Sequence, residues 1–508
     1  MADAAQSKVI SLWIATAQET DYPRLDGDLD VDVAVIGGGI AGLAAALELK
    51  RRGLTVGVIE GSRIGTGVTG NTTGKVTSLH RLAYSTLAAD HGEDAARAYG
   101  QANEAALEHI AKTVAAEDID CGFRRVANYT YAASAEHLPA IRAEAELAAR
   151  LGLPASYTAD VPLPFPTAGA VRFDHQAQLH AVKYLRGLAR AVDGGGSVVV
   201  ERTMVTELRD GSPAEAVTER GTVRARDIVV ATNVPMADGG RYRERLTLHR
   251  SYIVASPVPG GSLPEDATFI SADEPMRSIL STREGGTDYV LVGGEGHPVG
   301  AEGGGAPGAG SAERFDRLAE FSRERLGSGA PAYRWSTQDT LPADGLPFAG
   351  PLAPDARHVY VITGLRKWGL TNGTAAALAV ADAITGGASP WAGLFDSTRG
   401  VAPARQAEST TAEPRLPPWR GLPRLAPREG AVFDVDGKAT AVYADDSGAP
   451  HALSARCTHL RCVVEFSRGA DGEAPTWDCP CHGSRFALDG TVIQGPAEKD
   501  LARRDLPR

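Results

Sequence analysis

The stretch VDVAVIGGGIAGLAAALELKRRGLTVGVIE, residues 31–60, decides the fold of most of this chain. Its apolar start, 31–36, predicts a short strand, the Ala- and Leu-rich run 43–52 predicts a helix, and residues 54–60 predict a second strand. Three glycines, at positions 37, 39 and 42, stand between the first strand and the helix. This order of strand, glycine turn, helix and strand predicts an α/β domain of the Rossmann type.

Each residue type in this turn suits one part of a dinucleotide. Gly37 permits the tight turn, Gly39 lets the backbone approach the pyrophosphate, and Gly42 lets the helix pack closely on the strand. The helix N-terminus then faces the phosphates. Glu60 ends the second strand and can accept hydrogen bonds from ribose hydroxyls, which disfavours the 2′-phosphate of NADP. We therefore expect a bound dinucleotide, the alternative being an ordinary α/β turn without a ligand.

The bulk composition describes a globular protein of more than one domain. A chain of 508 residues is expected to form two or three domains. Hydrophobic residues make up 43% and charged residues 23%, as in ordinary globular proteins. The net charge of -11 argues against binding to nucleic acid or to an anionic membrane. No apolar run predicts a membrane span, and residues 1–18 show no export signal, so a cytoplasmic location is expected.

A second chemical motif lies near the C-terminus, where four of the five cysteines fall within 25 residues. In a cytoplasmic protein such a cluster binds metal more often than it builds a disulfide framework. The pattern Cys-x-His followed by Cys-x-x-His lets two cysteines hold one iron and two histidines the other, as in a Rieske [2Fe–2S] cluster. A Cys2His2 zinc site is the alternative, although about two to four residues usually separate its paired ligands, whereas a single residue separates Cys457 from His459. The expected iron ligands are Cys457, His459, Cys479 and His482.

Residues 425–506 resemble Rieske proteins of the respiratory type, and the resemblance implies further features. It implies a disulfide between Cys462 and Cys481 that ties the two ligand loops together. It places Ser484 where a hydroxyl donates to the cluster, and Phe486 where the members of highest potential have Tyr. Because one donor is lost, we expect a reduction potential below the top of the Rieske range of about -150 to +300 mV.

Most of residues 30–385 resembles the flavin-dependent superfamily of D-amino-acid oxidase, glycine oxidase and sarcosine oxidase. Besides residues 37–60, the resemblance rests on RDIVVATN at 226–233, TGLRKWGLTNG at 363–373 and the loop TGNTTGK at 69–75. It implies FAD as the dinucleotide, bound without a covalent link because residues 62–78 contain neither Cys nor His. It also implies that a second helix N-terminus, after Gly364, faces the flavin and stabilises negative charge on the reduced ring.

The glycine turn and this resemblance together give a set of expected FAD contacts. The set is Gly37, Gly39, Gly42, Glu60, Thr72, Thr73, Val205, Gly364, Trp368, Gly369 and Leu370. The fifth cysteine, Cys121, is expected to be a buried thiol.

The same patterns predict how the domains follow one another along the chain. An α/β FAD-binding, Rossmann-like domain is expected from residues 28–85, 175–240 and 340–398. An α+β substrate or cap domain is expected from residues 86–174 and 241–339. A linker rich in Pro, Arg and Glu, 399–423, then leads to a small all-β Rieske domain at 424–508.

A two-electron centre and a one-electron centre on one chain predict an oxidoreductase. We expect hydride transfer from an amine, an amino acid or a similar small molecule to FAD, followed by electron transfer to the Rieske cluster and an external acceptor. No second strand–glycine–helix pattern provides a nicotinamide domain. Three alternatives stay open: an outside donor reduces the flavin through the cluster, the protein is an electron-transfer or redox-sensing module, or oxygen reoxidises the flavin.

The substrate-side segments contain several candidate catalytic side chains. Tyr252, Arg283 and His297 come first, because Tyr can orient an amine and Arg can bind a carboxylate through two hydrogen bonds. His249 and Arg277 lie in the same segments. The ordinary alternatives are a core Tyr, a surface Arg and a loop His, and hydride transfer needs positioning more than a strong base.

Overall fold

The computed structural model describes residues 7–236, 241–242, 244–260, 263–298, 311–402, 416–419, 425–458, 462–467, 475–479, 484–494, 497 and 499–507. Its N-terminal elements are β1 (Lys8–Val9), α1 (Leu12–Thr16), β2 (Leu29–Ile36), α2 (Ile40–Arg51), β3 (Val56–Ile59), β4 (Lys75–Val76), α3 (Ala83–His91), α4 (Glu93–Ala116), β5 (Arg124–Ala132), α5 (Leu138–Arg150), β6 (Ala155–Thr158), β7 (Gly169–Gln178), α6 (Ala181–Val192), β8 (Val198–Val200), β9 (Val205–Arg209), β10 (Ala214–Thr218) and β11 (Gly221–Val230). The central elements are β12 (Leu246–Pro257), β13 (Ala267–Ser271), β14 (Arg277–Glu284), β15 (Thr287–Pro298), α7 (Ser311–Leu326), β16 (Tyr333–Pro342), β17 (Phe348–Pro351), β18 (Val359–Thr363), α8 (Gly369–Thr385) and α9 (Ala392–Phe395). The C-terminal elements are β19 (Gly430–Val435), β20 (Lys438–Ala444), β21 (Pro450–Ser454), β22 (Glu465–Ser467), β23 (Thr476–Asp478), β24 (Arg485–Ala487), β25 (Val492–Gln494) and β26 (Arg503–Arg504).

The first sheet, called here the nucleotide sheet, has the strand order β17-β18-β11-β2-β3-β8, with β10 and β9 continuing from β11. Strands β3, β2, β11 and β18 run parallel. Strand β2 is buried on both faces, because Val33 and Val35 pack with α2 while Ala34 and Ile36 pack in a second core. This burial explains why its end is apolar throughout rather than alternating. The glycine turn lies at the carboxyl end of β2, where such sheets bind ligands.

The second sheet, called here the substrate sheet, has the order β1-β16-β12-β15-β14-β13-β5-β7-β4, with β6 beside β7. Strand β12 lies between β15 and β16 and is antiparallel to both. On one face Tyr252 and Phe315 pack in a core that includes α7. On the other face Trp13, Ile253 and Trp335 pack together. Helix α7 and the N-terminal segment therefore cover opposite faces of this sheet.

Helices α3 and α4 share one core with α2 and α8. Small residues of α4 (Ala96, Ala102 and Ala106) and of α8 (Ala375 and Ala376) are fully buried there. The boundary expected at residue 86 therefore falls inside one helical layer, because α4 packs on the helices of the nucleotide sheet. Across the described ranges, no helix combines the length and apolar character needed to cross a membrane.

The C-terminal part forms two four-stranded sheets, β19-β20-β21-β26 and β22-β23-β24-β25. All their described strand pairings are antiparallel. Trp477, Phe486, Cys457 and Cys479 lie in one buried core between them. The described part of this segment contains strands and no helix, which confirms the small all-β domain predicted for the C-terminus.

The predicted linker, 399–423, is packed at both described ends. The Arg399 guanidinium forms an ion pair with Asp344 (2.7 Å), which attaches it to the preceding domain. At the other end the Trp419 ring packs edge-on against Phe433 of β19, with ring centroids 5.4 Å apart. The segment that joins the two packed ends is therefore shorter than the change in composition suggests.

Candidate functional site

The glycine turn has the geometry that a pyrophosphate needs. Gly37 has a φ of 107°, and a Cβ there would lie 2.6 Å from the carbonyl oxygen of Ala231. A Cβ on Gly42 would lie 1.9 Å from the carbonyl oxygen of Gly37. By contrast, the nearest atom to a Cβ on Gly39 would be Thr69 Oγ1, at 3.5 Å. Two glycines are thus required by the fold itself, while Gly39 borders open space at the N-terminus of α2.

Glu60 lies at the end of β3, beside this turn. Its Oε2 accepts from the Gly38 N–H (2.7 Å) and its Oε1 from the Ser62 N–H (2.8 Å). Burial raises the pKa of Glu60, while these two hydrogen bonds act in the opposite direction. The Thr203 N–H donates to the Glu60 carbonyl oxygen (3.0 Å), and Val205, two residues further on, is buried nearby. Glu60 and the segment that leads to Val205, another expected FAD contact, therefore lie side by side.

The loop at residues 69–75 is fixed from two sides. Thr69 Oγ1 accepts from the Ile40 N–H (3.2 Å) at the start of α2. On the other side Ser11, Trp13 and Trp335 donate to the carbonyl oxygens of residues 70, 72 and 71, at 2.6, 2.7 and 2.9 Å. The expected FAD contacts Thr72 and Thr73 lie within this loop, at or directly after the three carbonyl groups that accept these hydrogen bonds. Sequence reasoning missed the three donors because no local pattern links them to the loop.

Residues 364–368, called here the flavin turn, join β18 to α8. Gly364, Arg366 and Lys367 have positive φ angles of 72°, 55° and 68°, and two adjacent non-glycine residues in this region mark a constrained site. The Trp368 ring stacks on His80, with centroids 4.5 Å apart. Trp368 is the N-cap of α8, and no described side chain caps this helix. The first N–H groups of α8, from Gly369 onward, are therefore left for a ligand.

Four polar residues beside the flavin turn form what we call the polar cluster: His249, Ser251, Asp339 and Lys367. Lys367 Nζ donates to Ser251 Oγ (3.1 Å), and Asp339 lies directly opposite His249 in the β12–β16 pair. Of these four residues, only His249 is a candidate by sequence. Lys367 lies within the motif at 363–373, whereas Asp339 carries no sequence signal because only strand register places it here.

Burial sets the protonation of the polar cluster. It raises the pKa of Asp339 to about 6, while the Lys367 cation acts against this rise. It lowers the pKa of Lys367, with Asp339 opposing. It also lowers the pKa of His249 to about 3, so this imidazole is neutral at pH 7. His249 Nδ1 is buried and makes no hydrogen bond of good geometry to the described residues, a state that costs about 1–3 kcal/mol unless a ligand relieves it.

The candidates Tyr252 and His297 meet, with Tyr252 Oη 3.2 Å from His297 Nε2. His297 Nδ1 lies 2.9 Å from the Pro298 carbonyl oxygen, so we assign the ring proton to Nδ1 and let Tyr252 donate to Nε2. Burial raises the pKa of Tyr252 and lowers that of His297. The Tyr252 ring packs on Phe315 of α7 at 5.2 Å. Because successive residues of a strand face opposite ways, this pair lies on the face away from Ser251 and the flavin turn.

Arg283 is not brought to the other candidates. Its side chain is 65% exposed and lies 3.5 Å from Asp288, in the hairpin between β14 and β15. His297 is nine residues beyond Asp288 along β15, which corresponds to about 30 Å of strand. Arg277 forms a buried ion pair with Glu295 (2.7 Å), a structural role.

The last residue of the loop at 69–75 is a buried lysine to which the motif itself assigns no role. Lys75 is 5% exposed, and its Nζ donates to the Phe269 carbonyl oxygen (2.5 Å) and to Ser278 Oγ (2.6 Å). Burial lowers its pKa to about 7. Cys121 is a buried thiol, as predicted, and burial raises its pKa to about 11.

Two of the expected iron ligands are described, and both are buried thiols, Cys457 and Cys479. Each N–H donates across its own loop, Cys457 to the Cys462 carbonyl oxygen (2.8 Å) and Cys479 to that of Ser484 (2.7 Å). Ser484 Oγ accepts from the N–H of residue 497 (2.9 Å). Two such closed loops with buried thiols suit an iron–sulfur cluster.

The other expected ligands, His459 and His482, lie outside the described residues. Cys462 is disulfide-bonded. Its expected partner, Cys481, also lies outside the described residues, so this pairing stays a prediction.

The C-terminal domain touches the rest of the chain through two described ion pairs. Arg250 Nη1 of β12 lies 3.4 Å from Asp478 Oδ2, with both side chains largely buried. Lys499 Nζ lies 2.6 Å from Glu219 Oε1, and both side chains are exposed. In the first contact, Asp478 directly precedes Cys479, and Arg250 lies between His249 and Ser251 of the polar cluster.

The glycine turn with its acid, the second helix N-terminus and the all-β domain with two cysteine loops together define an oxidoreductase that uses FAD and a [2Fe–2S] cluster. The family model described as FAD dependent oxidoreductase (DAO) matches residues 32–383, so the chain belongs to that family. The model of the Rieske [2Fe-2S] domain matches residues 423–504. The predicted family, fold class, enzyme class and cofactors are thereby confirmed.

Three known proteins show how far the likeness extends. The chain is 31% identical over 506 residues to the protein named "Putative Rieske 2Fe-2S iron-sulfur protein YhfW" of Bacillus subtilis (strain 168), covering 97% of each chain. It is 28% identical over 242 residues to gamma-glutamylputrescine oxidoreductase of Escherichia coli (strain K12), covering 45% of this chain and 55% of that protein. The crystal structure of glycine oxidase from Geobacillus kaustophilus superposes with a TM-score of 0.59 at 21% identity, covering 74% of this chain and all of that one, which shows a shared fold.

Proposed function

We propose that the enzyme oxidises an amine or an amino acid bound against the polar cluster and delivers the electrons to an external one-electron acceptor protein. Bound FAD supplies the hydride-accepting ring, and the [2Fe–2S] cluster takes electrons from it one at a time. The observation that carries the proposal is the buried Nδ1 of His249, which makes no hydrogen bond of good geometry to the described residues and lies beside the Lys367 cation. A substrate that combines an N–H donor with an anionic group would provide a hydrogen bond to His249 Nδ1 and a counter-charge to Lys367.

The residues of the polar cluster divide the work of binding. Neutral His249 accepts a hydrogen bond from the substrate nitrogen at Nδ1, and Lys367 attracts a carboxylate. Asp339, with its pKa raised to about 6, can take the proton from the ammonium form, because hydride leaves the carbon readily only from a neutral amine. The name of the E. coli relative, gamma-glutamylputrescine oxidoreductase, supports this substrate class.

An anaerobic titration tests the substrate class. Amines and amino acids are added one at a time to the oxidised holoenzyme, and the flavin absorbance is followed together with the EPR signal of the reduced cluster. A substrate should bleach the flavin first and produce the cluster signal afterwards. If no member of the panel bleaches the flavin while dithionite does, the proposed substrate class is wrong. If an outside donor reduces the cluster before the flavin, the proposed direction is wrong.

Lys367→Met separates amino acids from simple amines. If Lys367 binds a carboxylate, the variant should raise KM for amino acids at least tenfold, a loss of about 1.4 kcal/mol, and leave KM for amines almost unchanged. Lys112→Met, on the exposed face of α4, is the matched control. Equal KM values for amino acids in the two variants would contradict the role of Lys367.

We also propose that the protein is cytoplasmic, which cell fractionation tests.

A further inference from the structure

Asp478 occupies a position next to the cluster and is held there by its own domain. It is the last residue of β23 and directly precedes Cys479. Its Oδ1 accepts from Thr476 Oγ1 (2.8 Å) and from Arg485 Nε (3.3 Å), and its side chain is 13% exposed. The other oxygen, Oδ2, points across the domain boundary to Arg250 (3.4 Å). Asp478 therefore extends the cysteine loop towards the substrate sheet in a fixed orientation.

Arg250 has its acid partner across this boundary. Its side chain is 18% exposed, and within its own domain its described polar side-chain partners are Gln338, at 3.5 Å, and Tyr252. Among the described residues, Asp478 is the only carboxylate that forms an ion pair with it. A largely buried guanidinium without an acid partner is unfavourable. The ion pair with Asp478 therefore offsets the cost of burying Arg250 when the two domains are docked.

The reverse side of the same strand leads to the flavin turn. Ser251, the next residue of β12, faces away from Arg250 because side chains alternate along a strand. Its Oγ accepts from Lys367 Nζ (3.1 Å), and Lys367 directly precedes Trp368, the N-cap of α8. Only two non-covalent contacts thus separate the cysteine loop from the turn that resembles a flavin-binding segment. One strand of the substrate sheet forms the wall between them.

We propose that Arg250 is a positioning residue that docks the Rieske domain on the face of the substrate sheet opposite the flavin, so that electrons cross β12 directly from flavin to cluster. The two-electron-reduced flavin gives one electron at a time to the one-electron cluster, which an external one-electron acceptor empties twice per turnover. This inference rests on the proposed direction of electron flow, but its test needs no organic substrate.

The second contact between the domains provides a matched control. Lys499 and Glu219 are 73% and 62% exposed, and exposed ion pairs contribute at most about 1 kcal/mol. Glu219 lies in the turn between β10 and β11, away from the polar cluster. Loss of this pair should leave the domain docked, whereas loss of the largely buried Arg250–Asp478 pair should release it.

The test compares the full-length holoenzyme with Arg250→Glu, Glu219→Gln and the charge swap Arg250→Glu with Asp478→Arg. Flavin and cluster spectra first show that both cofactors are bound in each protein. The flavin is then reduced photochemically, and the cluster signal is followed with time. Cross-linking between the two domains reports docking independently of electron transfer.

We expect Arg250→Glu to abolish the cross-links to β12 and to slow cluster reduction at least tenfold, with unchanged cofactor spectra. The charge swap should restore both, and Glu219→Gln should change neither. Retained cross-links in Arg250→Glu would overturn the docking role. Lost cross-links with an unchanged rate would overturn direct transfer across β12. Neither outcome bears on the substrate class, which the anaerobic titration decides separately.

Discussion

Replacing Lys75 by Met should change how the stability of the flavin-binding part depends on pH. Burial lowers the pKa of this ammonium from 10.5 to about 7 in the folded protein. Between these two pH values the unfolded chain binds more protons at this position than the folded chain does, so stability rises as pH rises. Below the folded pKa both states are protonated, and the full cost of burying the charge applies. Above 10.5 neither is protonated and the cost is gone.

The size of the effect follows from this pKa difference. The titration of one such group gives a slope of at most about 1.4 kcal/mol per pH unit within the window, hence on the order of 5 kcal/mol across it. Met keeps the length of the side chain without its charge, so the variant should lose this slope. It also leaves the Phe269 carbonyl oxygen and Ser278 Oγ with one donor fewer, which costs about 1–3 kcal/mol at every pH. The unfolding free energy of the variant should therefore fall further below that of wild type at about pH 9.5 than at about pH 7.

Denaturant unfolding of both proteins, followed by circular dichroism at several pH values between about 7 and 9.5, measures the difference. Lys112→Met on the exposed face of α4 is the matched control and should follow the wild-type profile. Wild-type and Lys75→Met profiles that stay parallel over this range would refute the argument that burial lowers the pKa of the lysine at the end of this loop.

Three further substitutions test other parts of the site. Trp13→Phe removes the donor to the carbonyl oxygen of residue 72 and should weaken FAD binding up to about tenfold. Flavin fluorescence measures this affinity. The control Trp391→Phe loses a hydrogen bond to α8 instead and should change the affinity little. Asp339→Asn should remove the fall of kcat/KM below about pH 6, because the raised pKa of this carboxyl sets that limb; a retained limb would assign it elsewhere. Phe486→Tyr adds a hydroxyl where the highest-potential relatives have one and should raise the cluster potential by on the order of 50 mV in potentiometry.

The parts of the site that the sequence predicts are those whose chemistry is local in the chain. Gly37, Gly39, Gly42 and Glu60 can be recognised because a turn, a helix start and a strand end within 30 residues fix their relation. The Cys-x-His and Cys-x-x-His spacings are local for the same reason. In each case backbone geometry alone brings the residues to one place, so the sequence is sufficient to assign the type of cofactor.

The parts that the sequence does not predict depend on long-range packing. Arg250 and Asp478 are 228 positions apart, and Trp13 is 59 positions from residue 72. Asp339 reaches the flavin side only through the register of β16 against β12. Tyr252 was a reasonable candidate by residue type and by segment, but a single step along the strand turns it to the face that α7 covers. Strand register, which no local motif specifies, therefore decides which side chains can contact a substrate.

This dependence on register gives β12 a specific role in the molecule. Because neighbouring side chains point to opposite faces, the pair Arg250 and Ser251 connects two environments within one peptide unit. Ser251 belongs to the face of Lys367 and the flavin turn, and Arg250 to the face of Asp478 and the cysteine loop. A shift of one residue in β12 would exchange these faces and bury Arg250 beside the Lys367 cation, which is electrostatically unfavourable. The positive charges of Arg250 and Lys367 therefore favour the observed register of β12, which keeps the two cations on opposite faces of the sheet.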